Sequence, residues 1–117
     1  MTKDSSFAAF VQDQLRGLGR VACRAMFGGF GLYQGKTFFG VIFKGRLYFK
    51  TDEASRAGYV ARGMKPFRPS ATQTLKTYYE VPVDILEDDE LLIAWARRAL
   101  ATATSRAQPG RERARRP

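Results

Sequence analysis

Apolar residues follow the spacing of a helix near the start of the sequence and again near residue 100, and they follow the alternation of strands in between. The spacing predicts a first helix over residues 6–18, with Ser5 or Ser6 as its N-terminal cap. It also predicts a second helix over residues 53–62 after the cap Asp52, and a last helix that carries Trp95 within its apolar stripe.

Between the helices, runs of β-branched and aromatic residues predict strands over residues 21–27, 30–34, 37–44 and 46–51. A further strand is predicted over residues 74–81, with Leu75 and Tyr79 on one face and Tyr78 on the other, whereas residues 66–69 are predicted to form a turn. We therefore expect one α+β domain of two layers, in which about three helices pack on an antiparallel sheet of four to five strands, in the order α-β-β-β-β-α-β-α.

The composition changes after residue 104, where large apolar residues stop and arginine becomes frequent. We expect residues 1–104 to form the domain and residues 105–117 to form a basic, flexible tail. Clustered arginines attract nucleic acid without regard to its sequence, and an ordinary solvated terminus has the same composition. The tail arginines are Arg106, Arg111, Arg113, Arg115 and Arg116.

The chain has 117 residues with no histidine and a single cysteine, Cys23. These counts exclude the Ser-His-Asp and Cys-His catalytic sets, the usual zinc ligand sets and an intrachain disulfide. The 20 basic residues exceed the 11 acidic ones, and the resulting charge of +9 favours polyanionic partners. Because no signal peptide and no membrane-spanning run is recognisable, we expect a cytoplasmic protein without enzymatic activity, cofactor or metal.

Basic and aromatic residues are interleaved on one predicted strand, where Arg46, Tyr48 and Lys50 share a face. Such a face is suited to tracking a nucleic-acid backbone, although an ordinary solvated sheet face has the same pattern. Together with Arg24 on an earlier strand and the tail arginines, these residues are the candidate contacts for DNA or for a protein partner.

The remaining motifs have simpler structural interpretations. The glycines of residues 26–31 lie between strands, whereas phosphate-binding loops lead into a helix, so a structural turn is expected. Residues 36–43 match the RNA-binding strand motif only in part, and a strand buried on both faces is expected instead. The acidic run over residues 87–90 is expected to serve a helix N-terminus in preference to Mg²⁺, and Cys23 to be a small buried hydrophobic residue.

Five segments carry a family likeness in order and at fitting distances: residues 24–33, 45–52, 64–67, 78–82 and 95–100. They contain a set of residues that we interpret as a structural signature of the sheet edge and the core, namely Met26, Phe27, Gly28, Gly29, Gly31, Tyr79, Pro82 and Trp95. Over residues 7–101 the sequence resembles the N-terminal domain of the TfoX/Sxy regulators of bacterial competence. The resemblance implies a cytoplasmic bacterial protein, a two-layer α+β fold and no established catalytic residues. In full-length members it implies a role in switching on DNA-uptake genes together with a cyclic-AMP-responsive activator.

The first hypothesis is therefore a regulatory module that acts in transcription regulation by contacting a transcription-regulatory protein, DNA, or both, and not a membrane. The alternative is a protein-interaction or homodimerisation domain with no DNA contact. This alternative arises because three helices are expected to leave part of an aromatic-rich sheet uncovered, and an exposed apolar face usually binds a partner.

Overall fold

A computed structural model describes residues 3–26 and 28–106 of the chain, and its helices and strands follow the predicted order with one added strand. A short 3-10 turn over Arg16–Leu18 follows the first helix. In chain order the elements are α1 (Lys3–Gln14), β1 (Ala22–Met26), β2 (Gly29–Gln34), β3 (Thr37–Phe43), β4 (Arg46–Lys50), α2 (Glu53–Ala61), β5 (Pro66–Ser70), β6 (Gln73–Glu80), α3 (Val83–Leu86) and α4 (Asp89–Arg106).

The strands form one sheet in the order β1-β2-β3-β4-β6-β5, and each neighbouring pair is antiparallel. The predicted α+β class is confirmed, and the described residues hold six strands in place of four to five. The prediction of a turn over residues 66–69 is wrong, because Pro66–Ser70 pairs with β6 as an edge strand. An edge strand accommodates proline, since one side of its backbone has no partner that would need the missing N–H.

The helix boundaries agree with the sequence at Asp52 and disagree at the first helix. Asp52 caps α2, accepting a hydrogen bond from the Ser55 amide at 2.8 Å, while the Ser55 hydroxyl accepts one from the Asp52 amide at 3.0 Å. The prediction that Ser5 or Ser6 caps the first helix is wrong, because α1 extends past both residues to Lys3. A short helix, α3, follows the last strand and brings the α-helices among the described residues to four.

The main core lies between the helices and one face of the sheet, where apolar stripes of α1 and α4 meet inward-facing strand residues. Removing these side chains from water is the principal stabilisation of such a layered domain. Its buried members include Val11, Leu15, Leu32, Phe39, Ile42, Leu47, Phe49, Ile85, Leu92, Ala96 and Ala99.

A second apolar cluster lies on the opposite face of the sheet and is built from strand side chains alone: Val41, Tyr48, Phe67 and Tyr78, with Phe38, Phe43 and Leu75 packed against them. Phe67 reaches this face because β6 bends. The pairing advances from Pro66 to Phe67 on β5 while it moves from Tyr79 to Leu75 on β6. The same bend makes the predicted face of Leu75 wrong, since Leu75 packs with Tyr78 and not with Tyr79.

Candidate functional site

The predicted contact residues of the sheet share one face, which we call the open face because no helical residue belongs to its cluster. A cross-strand row runs over Arg24, Gly31, Val41, Tyr48 and Glu80 on β1, β2, β3, β4 and β6. Arg46 and Lys50 lie two positions to either side of Tyr48 and therefore point to the same face. The structure thus brings together the four sheet residues that the sequence singled out.

Three aromatic rings form a continuous line across this face, with a cation packed on the ring at each end. The ring centroids of Tyr33 and Phe38 are 5.1 Å apart, and those of Phe38 and Tyr78 are 5.7 Å apart. The Arg24 guanidinium carbon is 5.1 Å from the Tyr33 centroid, and Lys50 Nζ is 5.0 Å from the Tyr78 centroid. We call these five residues the aromatic ladder.

The sequence reasoning missed the three rings of the ladder, although one of them was within its reach. Strand alternation puts Tyr33 on the face of Gly31, whereas Tyr78 joins this face through the pairing of β6 with β4 opposite Lys50. Phe38 was not accessible in this way. The pairing of β2 with β3 shifts between Leu32 and Tyr33, so that Phe38 and Val41 share a face although they are three positions apart.

Gly31 lies beneath the ladder and has no room for a side chain. A Cβ atom there would lie 2.6 Å from Met26 Sδ, 2.9 Å from Phe38 Cε1 and 3.1 Å from Tyr33 Cε1. Glycine therefore lets the neighbouring side chains close over the strand. This packing holds the Tyr33 ring of β2 and the Phe38 ring of β3 in place over Gly31.

Tyr48 and Arg46 have different positions on the open face. Tyr48 is 8% exposed beneath Phe67, with ring centroids 4.7 Å apart, and burial raises its pKa, with a further rise from the charge of Glu80 and an opposing effect of Arg46. Arg46 Nη1 donates to both carboxylate oxygens of Glu80 at 3.0 Å. Tyr48 is therefore a buried packing residue of the open face. The positively charged side chains on this face are Arg24, Arg46 and Lys50.

Charge is divided between the two layers of the fold. Residues 3–26 and 28–106 include 16 basic and ten acidic side chains. The sheet and its hairpin turns, residues 22–26, 28–50 and 66–80, hold seven of the basic side chains and Glu80 as the one acid; the rest of this range holds nine of each. The sheet layer thus accounts for the whole excess of positive charge within residues 3–26 and 28–106. Its basic residues are Arg24, Lys36, Lys44, Arg46, Lys50, Arg68 and Lys76.

The signature residues of the sequence are found at turns and in the main core. Gly28 has a φ of 81° in the turn between β1 and β2, and a Cβ at Gly29 would collide with the Ile42 carbonyl oxygen. Tyr79 and Trp95 both pack on Tyr59, with centroid distances of 6.1 and 4.7 Å. The buried Pro82 precedes α3, and the predicted signature residue Phe27 lies outside the described residues.

Asp52 ties the end of β4 to two helices. Besides capping α2, its carboxylate accepts hydrogen bonds from Arg98 Nη2 at 3.0 and 3.1 Å and from the Thr102 hydroxyl at 3.3 Å, both on α4. The Ser55 amide, together with the Ser55 hydroxyl and Arg98, lowers the pKa of Asp52 to about 2, against a smaller opposing effect of burial. The carboxylate is structural in this arrangement.

The remaining candidates have packing or capping positions. Cys23 is half-buried against the main core, and burial raises the pKa of its thiol, which reduces the nucleophilic thiolate form. Within the acidic run, Asp88 Oδ1 accepts a hydrogen bond from the Leu91 amide at 3.1 Å at the start of α4.

In residues 3–26 and 28–106, no three histidine, cysteine or acidic residues are grouped so as to hold a metal ion. Arg106 ends α4, and the candidate contacts Arg111, Arg113, Arg115 and Arg116 lie outside the described residues.

Fold and face together define a two-layer α+β domain that has one helix-covered side and one basic, aromatic side. The chain belongs to the TfoX N-terminal domain family, whose model matches residues 13–103 and so includes all six strands. Membership supports a regulatory, competence-related module at the level of the family, and the family is not known as enzymatic. A comparison with curated proteins found no match. None of the helices over the described stretches has the length and apolar character needed to cross a membrane.

Proposed function

We propose that the chain is a non-enzymatic regulatory module that acts in transcription regulation of the competence type, and that its open face contacts DNA alongside a transcription-regulatory protein. The observation that supports this most directly is the composition of the sheet segments, which hold seven basic side chains against one acidic one, with Arg24, Arg46 and Lys50 on the open face. Membership of the TfoX N-terminal domain family supports the regulatory part of the proposal.

The basic side chains of the sheet outnumber its acidic ones, and this imbalance favours a polyanion as the binding partner of the open face. Glu80 is the one acidic side chain within the sheet segments, and Arg46 already pairs with it. The sheet segments hold six further basic side chains and no further acidic one. A surface of this kind attracts phosphates at long range, and the attraction weakens as salt screens it.

Fluorescence anisotropy with a labelled DNA duplex tests the proposal on the full chain at about 50 and about 200 mM salt. We expect binding at the lower concentration and a steep loss at the higher one, because each phosphate contact releases counterions. Arg24→Gln should weaken binding several-fold. Arg97→Gln, an exposed arginine of α4 in the helical layer, is the charge-matched control and should leave binding near the wild-type value.

Two results would contradict a DNA contact of the sheet. One is the absence of binding at the lower salt concentration. The other is an equal loss in the Arg24→Gln and Arg97→Gln variants, since binding would then depend on total charge and not on the open face. Neutralising the four arginines Arg111, Arg113, Arg115 and Arg116 in the full chain measures the share of the tail separately.

The alternative of a protein-interaction or homodimerisation domain is favoured by one edge of the sheet. β1 is the outermost strand, its outer side pairs with no strand of the described residues, and its sequence contains no proline. The opposite edge strand, β5, carries Pro66 and Pro69, which hinder the addition of a further strand. Light scattering at both salt concentrations checks this alternative, which predicts a dimer that is insensitive to salt and does not bind DNA.

A further inference from the structure

We propose that the aromatic ladder is a stacking platform for unpaired bases, so that the preferred polyanion of the open face is a single-stranded nucleic acid. This inference rests on the proposed function and refines it by naming the form of the nucleic acid. Tyr33 and Phe38 would stack with successive bases, while Arg24 and Lys50 contact the phosphates on either side.

The arrangement of the rings is the first step of the argument. Tyr33 and Phe38 are adjacent in space on neighbouring strands, with a 34° angle between the ring planes, and both are half-buried. Their inner surfaces close over Gly31, which leaves part of each ring on the outer surface of the sheet. Rings held in this way lose little freedom on binding, because the fold has already ordered them.

The cations at the two ends are the second step. Arg24 is exposed beside Tyr33, and Lys50 is held over Tyr78 by a hydrogen bond from Nζ to Thr77 Oγ1 at 3.0 Å. From the Arg24 guanidinium carbon the ladder passes through the Tyr33, Phe38 and Tyr78 centroids in successive steps of 5.1, 5.1 and 5.7 Å. Several groups in succession fit a chain of nucleotides better than a mononucleotide.

The chemistry of the rings decides between single-stranded and duplex ligands. The bases of a duplex are stacked on one another, so a duplex presents phosphates to a flat sheet face and keeps its base surfaces from the rings. Single strands offer both, and aromatic stacking is tolerant of base identity because every base has a flat π-face. Duplex binding would use the charges of the open face and leave Tyr33 and Phe38 without a ligand.

The test compares a short oligothymidylate with a duplex of equal length on the full chain. Tyr33→Leu and Phe38→Leu keep an apolar side chain and remove the stacking surface, and we expect each to weaken oligothymidylate binding by about fivefold or more. Neither should change duplex binding. Phe10→Leu on α1 is the control, because it removes an aromatic ring that is 40% exposed on the helical side. Circular dichroism verifies that each variant is folded.

A readout without substitutions is photo-crosslinking of an oligonucleotide that carries 5-iodouracil, which reacts with an aromatic ring stacked on it. Peptide mapping should place the crosslinks at Tyr33 or Phe38. Crosslinks confined to residues 105–117 would overturn the ladder as the binding site. Equal binding of single strand and duplex, with both weakened by Arg24→Gln, would also overturn it while leaving the proposed function standing. If neither nucleic acid binds, the DNA part of the proposed function fails as well.

Polyglutamate serves as the probe for an acidic protein surface. Stacking predicts that polyglutamate binds far more weakly than oligothymidylate and is insensitive to Tyr33→Leu. If polyglutamate binds as tightly and with the same sensitivity, the open face recognises charge alone and the ladder is not a base-stacking platform.

Discussion

At the scale of single residues, adding a methyl group should change the free energy of unfolding in opposite directions at two glycines of this chain. At Gly29 the methyl of alanine would collide with the Ile42 carbonyl oxygen and lie 3.2 Å from Phe43 Cα, and these backbone atoms cannot move without disturbing β2–β3 pairing. We expect Gly29→Ala to lower the free energy of unfolding by about 1–3 kcal/mol. Urea denaturation, with the slope checked for constancy, measures the change.

Gly58→Ala is the matched substitution. Gly58 lies inside α2, a Cβ there meets no atom within 4 Å, and alanine is the better helix former. We expect Gly58→Ala to raise the free energy of unfolding by about 0.5–1 kcal/mol. Equal effects of the two substitutions would show that the close approach of β2 and β3 at Gly29 is not a constraint.

Asp52 predicts a pH dependence of stability. Its pKa falls from an ordinary 3.8 to about 2 in the folded state, so the unfolded state binds a proton more readily. The stabilisation is therefore complete above about pH 4 and is lost as the pH falls from there towards 2. Asp52→Asn keeps an effective helix cap but cannot titrate, and should flatten stability over this range. Denaturant titrations at a series of acidic pH values check this.

Two further variants separate capping from charge at the same site. Asp52→Ala removes both, and should lower the free energy of unfolding by about 1 kcal/mol at neutral pH. Glu53→Gln changes an exposed carboxylate of the same helical turn and should leave the acid dependence intact. If Asp52→Ala and Asp52→Asn lose stability equally at neutral pH, the hydrogen bond to the Ser55 amide contributes little to the cap.

At the scale of elements, the β5–β6 hairpin is anchored by one side chain. Phe67 is fully buried and packs on Tyr48 and Phe43, with centroid distances of 4.7 and 5.3 Å. We expect Phe67→Ala to lower the free energy of unfolding by about 3–5 kcal/mol, whereas Phe10→Ala on α1 should have a much smaller effect because Phe10 is 40% exposed.

The same substitution should alter Tyr48, which lies beneath Phe67. Burial is the largest cause of the raised pKa of Tyr48, so uncovering the phenol in a folded Phe67→Ala variant should bring its pKa back towards 10.0. Absorbance at alkaline pH follows the ionisation, and Tyr48→Phe identifies the signal. An unchanged titration would mean that Phe67 does not shield Tyr48.

The elements also show where sequence reasoning succeeds and where it stops. Local signals predicted β1–β4 and α2, because alternation and the capping residue Asp52 act within a few positions of the chain. They failed at β5, where Pro66 and Pro69 are typical of a turn and only the position at the sheet edge makes a strand possible. They failed for Leu75 and Phe38 because a bend and a register shift depend on the partner strand.

In the candidate site too, patterns within one strand were predictable from the sequence, and contacts between strands were not. Arg46, Tyr48 and Lys50 were placed on one face because they alternate within a single strand. The line of Tyr33, Phe38 and Tyr78 joins strands that are far apart in sequence, and the pairing order of the sheet creates it. Side-chain patterns within one strand are thus readable from sequence, whereas a surface composed across strands requires the topology.

At the scale of the whole molecule, the main core and the excess of positive charge are associated with different layers of the fold. The helical side carries the main core and a balanced set of charges, including the acidic run 87–90 at the start of α4. The sheet side carries a smaller cluster and the excess of positive charge. The net charge of the chain therefore hides this asymmetry, since within residues 3–26 and 28–106 the whole positive excess lies in the sheet segments.

This asymmetry predicts that charge removed from the two layers has unequal effects on DNA binding. The triple variant Lys36→Gln, Arg68→Gln and Lys76→Gln removes three of the seven basic side chains of the sheet layer, and Arg16→Gln, Lys65→Gln and Arg97→Gln removes the same charge elsewhere. If all three sheet residues contact phosphates, the slope of log K against log salt should become shallower by about 2–3 in the first variant. Salt titrations of anisotropy measure both slopes. An equal change in the two variants would mean that the polyanion responds to net charge and not to the layer that bears it.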